Sequence, residues 1–135
     1  MVLVDTSVWV EVFRRPARVD LEAVVDFDDI VTCLPIAQEV LQGFDDERAF
    51  QIAREALYAF PMVEAPLTRE IVDDAVALYR AARRAGVTVR SSVDCLIAAC
   101  ALRHGLTVLH CDRDFPSLAR VSPLLQRRIR PRDLA

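Results

Sequence analysis

The chain predicts an α/β fold, a mostly parallel sheet of about four to five short strands flanked by helices. Three observations support this. Short β-branched runs, "VLV" (2–4), "IVTC" (30–33) and "TVLH" (107–110), are separated by longer segments with helical spacing. The three glycines, Gly43, Gly86 and Gly105, each follow a helix-like segment, where a left-handed residue ends a helix at low cost. The segment "VDCLIAACAL" is apolar almost all round, as befits a helix buried against a sheet.

In order along the chain, "VLV" reads as a buried strand and residues 6–14 as a helix entered at Asp5-Thr6. Residues 19–26 read as a short helix and "IVTC" as the second strand. "PIAQEVLQ" (35–42) is a helix with proline in its first turn, where the missing N–H costs nothing. Residues 46–59 repeat Phe50, Ala53, Leu57 and Phe60 at helical spacing, and the ridge fits either the core or a groove for a partner helix. "MVE" (62–64) reads as a strand, and residues 68–85 as a long helix with the stripe Ile71, Ala75, Leu78, Tyr79 and Ala82. A helix over 92–104, the strand 107–110 and a weak final strand in "RRIRP" complete the series, with Trp9 expected in the core.

With 135 residues the chain fits a single domain over 1–135, and a hydrophobic fraction of 53% with mean hydropathy +0.24 predicts a substantial core. No apolar run reaches the roughly 18 residues of a membrane span. "VLVD" directly after Met1 does not read as a signal peptide, so the expected setting is the cytoplasm, away from membranes. Cys33, Cys95, Cys100 and Cys111 form no CxxC pair and read as small buried hydrophobes. The net charge of −3 argues against a generally basic nucleic-acid binder. All 17 basic residues are arginine, which excludes chemistry that requires a lysine, such as Schiff-base formation or the P-loop phosphate contact.

Several acids stand where apolar structure is expected. Asp5 immediately follows "VLV"; Asp112 and Asp114 follow "TVLHC"; Glu39 lies in "PIAQEVL"; Asp94 opens the most apolar helix. In an open parallel sheet, ligands bind beyond the carboxyl ends of the strands, which is where Asp5 and Asp112 fall if both strands are central. Each acid also has a plain structural reading. Asp5 could cap a helix, Ser91 and Asp94 match a capping box, Glu39 could face solvent, and Asp112 and Asp114 could form a turn. Taken together the plain readings weaken, because buried carboxylates in a group repel one another and a hard divalent cation relieves that repulsion. An oxygen-only donor set suits Mg²⁺ or Mn²⁺.

The blocks "VLVDTSVWVEVF", "PIAQEVLQG", "VRSSVDCLIAACALRHG" and "HCDRDF" together resemble the PIN-domain ribonucleases, most closely the VapC-type toxins of type II toxin–antitoxin pairs. The likeness spans almost the whole chain, in order. It implies a PIN-like three-layer fold and an acidic catalytic pocket of Asp5, Glu39, Asp94 and Asp112 holding Mg²⁺, with Asp114 close by and Thr6 or Ser7 hydrogen-bonding within it. It further implies cleavage of structured RNA (tRNA or rRNA), a cognate VapB-type antitoxin, PIN–PIN homodimers and toxin–antitoxin hetero-oligomers. His110 departs from the family, which often has Thr or Ser there; it could bind phosphate, tune Asp112 or simply end the strand.

Hydrolysis by a metal-activated water would leave a 5′-phosphate and a 3′-hydroxyl. Arginines could hold the RNA through bidentate phosphate contacts: Arg14, Arg15 and Arg18; Arg83, Arg84 and Arg90; and the run Arg127, Arg128, Arg130 and Arg132. Two other functions compete. One is a DxD-type phosphatase on Asp112, disfavoured by the missing lysine and the late position of the motif. The other is a non-catalytic PIN-like interaction module, disfavoured by the intact set of acids.

Overall fold

The computed structural model describes residues 1–132, so the final residues of the expected 1–135 domain lie outside the described residues. Five short strands, β1 (Val2–Val4), β2 (Ile30–Cys33), β3 (Met62–Val63), β4 (Thr107–His110) and β5 (Leu125–Arg128), form one sheet in the order β3-β2-β1-β4-β5. Every pairing is parallel. The chain builds outward from β1 to β2 and β3, then returns to lay β4 on the other side of β1. The direction of winding therefore reverses between β1 and β4, and the sheet has its crevice there. Val4 is in register with Leu109, and the Asp5 amide donates to the Leu109 carbonyl at 2.9 Å.

Helices α1 (Thr6–Phe13), α2 (Leu34–Leu41), α3 (Glu47–Tyr58), α4 (Arg69–Arg84), α5 (Ser92–His104) and α6 (Asp114–Ala119) flank the sheet. The five helices expected over 6–14, 35–42, 46–59, 68–85 and 92–104 all form, within a residue or so at each end. Asp46 and Thr68 cap α3 and α4 by accepting the amides of Ala49 and Ile71. The α4 stripe faces inward, with Ile71, Ala75, Leu78 and Ala82 buried, and α4 packs along α5. In α5, Cys95, Ile97, Ala98, Ala99, Cys100 and Ala101 are all buried, as its all-round apolar sequence requires. Trp9 lies in the core at 3% exposure, tilted against Phe60 and stacked on Phe13. In the 46–59 ridge Ala53 and Leu57 are buried while Phe50 and Phe60 pack at its margin, so the ridge serves the core.

Some elements differ from expectation. Residues 19–26 are not an α-helix; the region holds two 3₁₀ turns, Leu21–Ala23 and Phe27–Asp29. Only Val19 and Leu21 are buried there, too narrow an apolar face to hold a helix, and the Asp26 carboxylate takes the Asp28 amide into a local turn. The final strand is Leu125–Arg128 rather than "RRIRP", because its partner β4 ends at His110, in register with Arg128. β3 stops at Val63 because Glu64 takes a left-handed φ of 54°. Gly86 and Gly105 have φ of 70° and 63°, as a helix end of this kind needs, whereas Gly43 is not left-handed.

The glycines give a direct test. Gly105→Ala is expected to lower the unfolding free energy by about 1 kcal/mol, because alanine is strained at that φ. Gly43→Ala is expected to be neutral or stabilising by up to about 0.5 kcal/mol, since a Cβ there meets Val40 O at an ordinary 3.5 Å. Urea unfolding of both variants checks the contrast.

Candidate active site

The crevice between β1 and β4 gathers the acids. Asp5 leaves β1 and caps α1: its Oδ2 accepts the Ser7 amide at 3.0 Å and the Ser7 hydroxyl at 2.6 Å. The same hydroxyl oxygen accepts the Cys111 amide at 2.9 Å, so one serine ties the end of β1 to the end of β4. Asp5 is thus a helix cap that also lies within the field of Asp112 and Glu39. Its other oxygen, Oδ1, is buried and has no hydrogen-bond partner.

Beyond β4, the Asp112 Oδ1 accepts the Asp114 amide at 2.9 Å. Asp114 opens α6 and is buried, and its carboxylate accepts the backbone amides of Arg90 (3.0 and 3.1 Å) and Ser91 (2.9 Å). These bonds fix the segment that leads into α5. Ser91 occupies the α5 cap position without a side-chain capping bond, so the capping box suggested by "SSVD" does not form. Asp94 instead turns inward at 4% exposure, with a buried Oδ2 that has no partner. Asp94, Asp112 and Asp114 each offer a carboxylate oxygen within 4.8 Å of the others. From α2, the half-buried Glu39 accepts the Thr6 hydroxyl at 2.9 Å and adds its field at Asp5.

The electrostatics follow from burial and like charge. Loss of hydration pushes the Asp5 carboxyl up to about 6, partly offset by the Ser7 bonds and reinforced by Asp112 and Glu39. Asp94 is raised well above the carboxylate range, first by burial, then by contact with Asp114 and by the charges of Asp5 and Asp112. Among the described residues none of the ion pairs involves Asp5, Glu39, Asp94, Asp112 or Asp114. The donor set is oxygen only, and its two orphaned oxygens point to a missing positive partner. The group therefore suits a hard divalent cation.

His110 is fully buried at the end of β4, tilted against Phe115 with centroids 5.1 Å apart. Its Nδ1 accepts the Asp112 amide at 3.1 Å, and its Nε2 lies 2.6 Å from Gln126 Oε1 on β5. Burial lowers its pKa. Gln126 belongs to this network but carries no signal in the sequence, since only strand register brings it beside His110. Of the arginines considered, Arg90 joins through its backbone while its side chain is exposed. Arg14 is exposed and pairs with Glu11 at 3.3 Å. No hydrogen bond or ion pair links Arg84 to the acids among the described residues.

The PIN-domain family profile matches residues 2–121. The chain belongs to the PIN-domain family. It is 41% identical to Ribonuclease VapC11 of Mycobacterium tuberculosis, a match covering 92% of this chain and 96% of that protein. A toxin–antitoxin complex from Klebsiella pneumoniae contains a chain 26% identical to it, with a TM-score of 0.66 over 85% of this chain and 90% of that one. The DNA-bound VapBC of Salmonella typhimurium shares the fold at 14% identity, with a TM-score of 0.74 over 94% of this chain and 96% of that one. The five-stranded all-parallel sheet flanked by helices is the architecture expected of a PIN domain. Among the described residues of this PIN domain, no helix is long and apolar enough to cross a membrane.

The crowding has a measurable consequence. An acid whose folded pKa exceeds its unfolded value binds more protons when folded, so its penalty appears as pH rises from the unfolded value to the folded one. For Asp5 that window runs from 3.8 to about 6, and above it the metal-free protein carries a penalty on the order of 3 kcal/mol. Metal-free Asp5→Asn is therefore expected to melt several degrees above wild type at pH 7.5, with the gap closing by pH 4. For Asp94→Asn the gap should keep widening above neutral pH, because that carboxyl is raised further. Added Mg²⁺ should raise the melting temperature of the wild type alone. Thermal melts with and without EDTA across this range provide the check.

Proposed function

We propose that this PIN domain is a Mg²⁺-dependent endoribonuclease toxin cleaving structured RNA, tRNA or rRNA, and held inactive by a cognate VapB-type antitoxin. The ribonuclease assignment rests on the family and on the VapC relatives, matched over nearly the full length of both chains. The observation that carries the metal dependence is the pair of buried, unpartnered oxygens, Asp5 Oδ1 and Asp94 Oδ2, on acids that make no ion pair among the described residues.

Asp5 and Asp94 would hold Mg²⁺ directly, with Glu39 and Asp112 completing the acidic set and Asp114 beside them. The mutual 4.8 Å grouping supports Asp94, Asp112 and Asp114, while Asp5 and Glu39 join through their charge, and Mn²⁺ suits the same oxygens. When bound, the cation would supply Lewis acidity and lower the pKa of a nucleophilic water. Ser7 keeps Asp5 aimed into the crevice and Thr6 does the same for Glu39. Glu39 or Asp112 would orient the attacking water and take its proton. Water adds across the P–O3′ bond, leaving a 5′-phosphate and a 3′-hydroxyl, so the 2′-hydroxyl need not act as nucleophile. Arg90 would meet substrate phosphates at the rim, with Arg14 and Arg84 further out. His110 is buried and hydrogen-bonded at both ring nitrogens, which turns it away from direct phosphate contact. The chain would work as one domain, pairing with a second copy and, with antitoxin, assembling into a hetero-oligomer in the cytoplasm.

Purified protein is expected to cleave structured RNA in Mg²⁺, to stop in EDTA and to regain activity in Mn²⁺. Asp5→Asn and Asp94→Asn should each lower the rate at least about 100-fold without unfolding the protein. Ligation-based sequencing should find 5′-phosphates on the downstream fragments. Cleavage persisting in EDTA, or surviving Asp5→Asn in full, would overturn the proposal.

A further inference from the structure

His110 is a polar residue with no exposure at all, at the end of β4, two residues before the candidate metal ligand Asp112. An amide can only donate, so the Nδ1 that receives the Asp112 N–H at 3.1 Å must carry a lone pair. The ring proton then sits on Nε2 and is donated to Gln126 Oε1 at 2.6 Å. The two contacts support each other: Gln126 holds the proton on the far nitrogen, and that frees the near one to accept. Downstream, Asp112 Oδ1 accepts the Asp114 amide, and Asp114 accepts the amides of Arg90 and Ser91 ahead of α5. One line of hydrogen bonds therefore runs from edge strand β5 through His110 to the segment that presents Asp94.

We infer that His110, fixed by Gln126, is a positioning residue whose ring nitrogen holds the Asp112 turn in the shape that aims its carboxylate into the acidic crevice. The imidazole does here what a short polar side chain does in an Asx or ST turn, accepting the amide two residues on. The ring also fills core space against Phe115, so packing and positioning can be separated by substitution. The inference rests on the metal-site reading above for its effect on affinity, but not for its effect on the turn itself.

His110→Leu keeps apolar bulk and removes the acceptor; His110→Asn keeps an acceptor at Asx-turn reach and gives up bulk. Metal-free melting should therefore rank Asn below Leu. Mn²⁺ affinity, by calorimetry on the intact chain, should rank the other way: about 10-fold or more weaker for Leu, as for other residues that orient metal ligands, and within about threefold of wild type for Asn. Hydrogen exchange should show the Asp112 amide protected in wild type and Asn but fast in Leu, and ring ¹⁵N shifts should show the Nε2–H form. Leu binding Mn²⁺ as tightly as wild type, Asn losing affinity along with stability, or an Nδ1–H ring would each overturn the inference. If the wild type itself binds no Mn²⁺, the metal reading fails instead, and the Asp112 exchange rates and ring tautomer alone decide the role of His110.

Discussion

Carboxylates repel, and this chain places Asp5, Asp94, Asp112 and Asp114 together largely out of water, with no ion pair to any of them among the described residues. That arrangement follows from topology. β1 and β4 are adjacent and parallel, and Asp5 follows Val4 just as Asp112 lies beyond Leu109, its register partner. The winding reverses between these strands, so no connecting helix lies across their carboxyl ends to cover the crevice. A core would discard such a group of charges. Its persistence raises Asp5 and Asp94 away from ordinary carboxylate behaviour and leaves a stabilising role for a bound cation.

The surrounding structure restrains the acids without neutralising them. Ser7 donates to Asp5 and accepts from Cys111, Thr6 donates to Glu39, and backbone amides serve Asp112 and Asp114. These are neutral donors. An arginine in their place would pair with the carboxylates and occupy the position a metal ion needs, whereas hydroxyls and amides fix direction and leave one oxygen free. Asp114 differs from the others in this respect. Its oxygens are taken by the amides of Arg90 and Ser91, so it anchors the entry to α5 while Asp94 retains an oxygen with no donor.

The sequence made the scaffold legible because its helices carry long stripes and its central strands are β-branched and bounded by turn chemistry. Asp5, Glu39, Asp94 and Asp112 stood out as charges inside apolar segments, and that mismatch is what a buried acidic group looks like in one dimension. The parts that were not legible are set by tertiary pairing. β5 has a polar, exposed sequence, and its limits come from register with β4. The 19–26 stretch has helix-compatible residues but too little buried surface to hold them as a helix. The Ser91–Asp94 spacing promised a capping box, but Ser91 makes no side-chain cap bond and Asp94 is buried instead. Gln126 could not be found from sequence at all, because nothing local distinguishes it from any other edge-strand glutamine.

The arginines resolve the apparent conflict between a net charge of −3 and a polyanionic substrate. Arg14, Arg18 and Arg103 are engaged by Glu11, Glu64 and Asp74, and so contribute little net field. Arg90, Arg113 and Arg128 are exposed and have no acidic partner within ion-pair distance among the described residues. All three are tied by backbone to the acidic crevice: the Arg90 amide bonds Asp114, Arg113 lies between Asp112 and Asp114, and Arg128 faces His110 across the β4–β5 pair. In the proposed function such a guanidinium would leave the carboxylates unpaired yet offset their repulsion of an approaching phosphate, which acts over a Debye length of about 8 Å at physiological salt. Overall acidity is thus compatible with the proposed RNA substrate, because the charges that would matter are those left unpaired at the rim rather than the total.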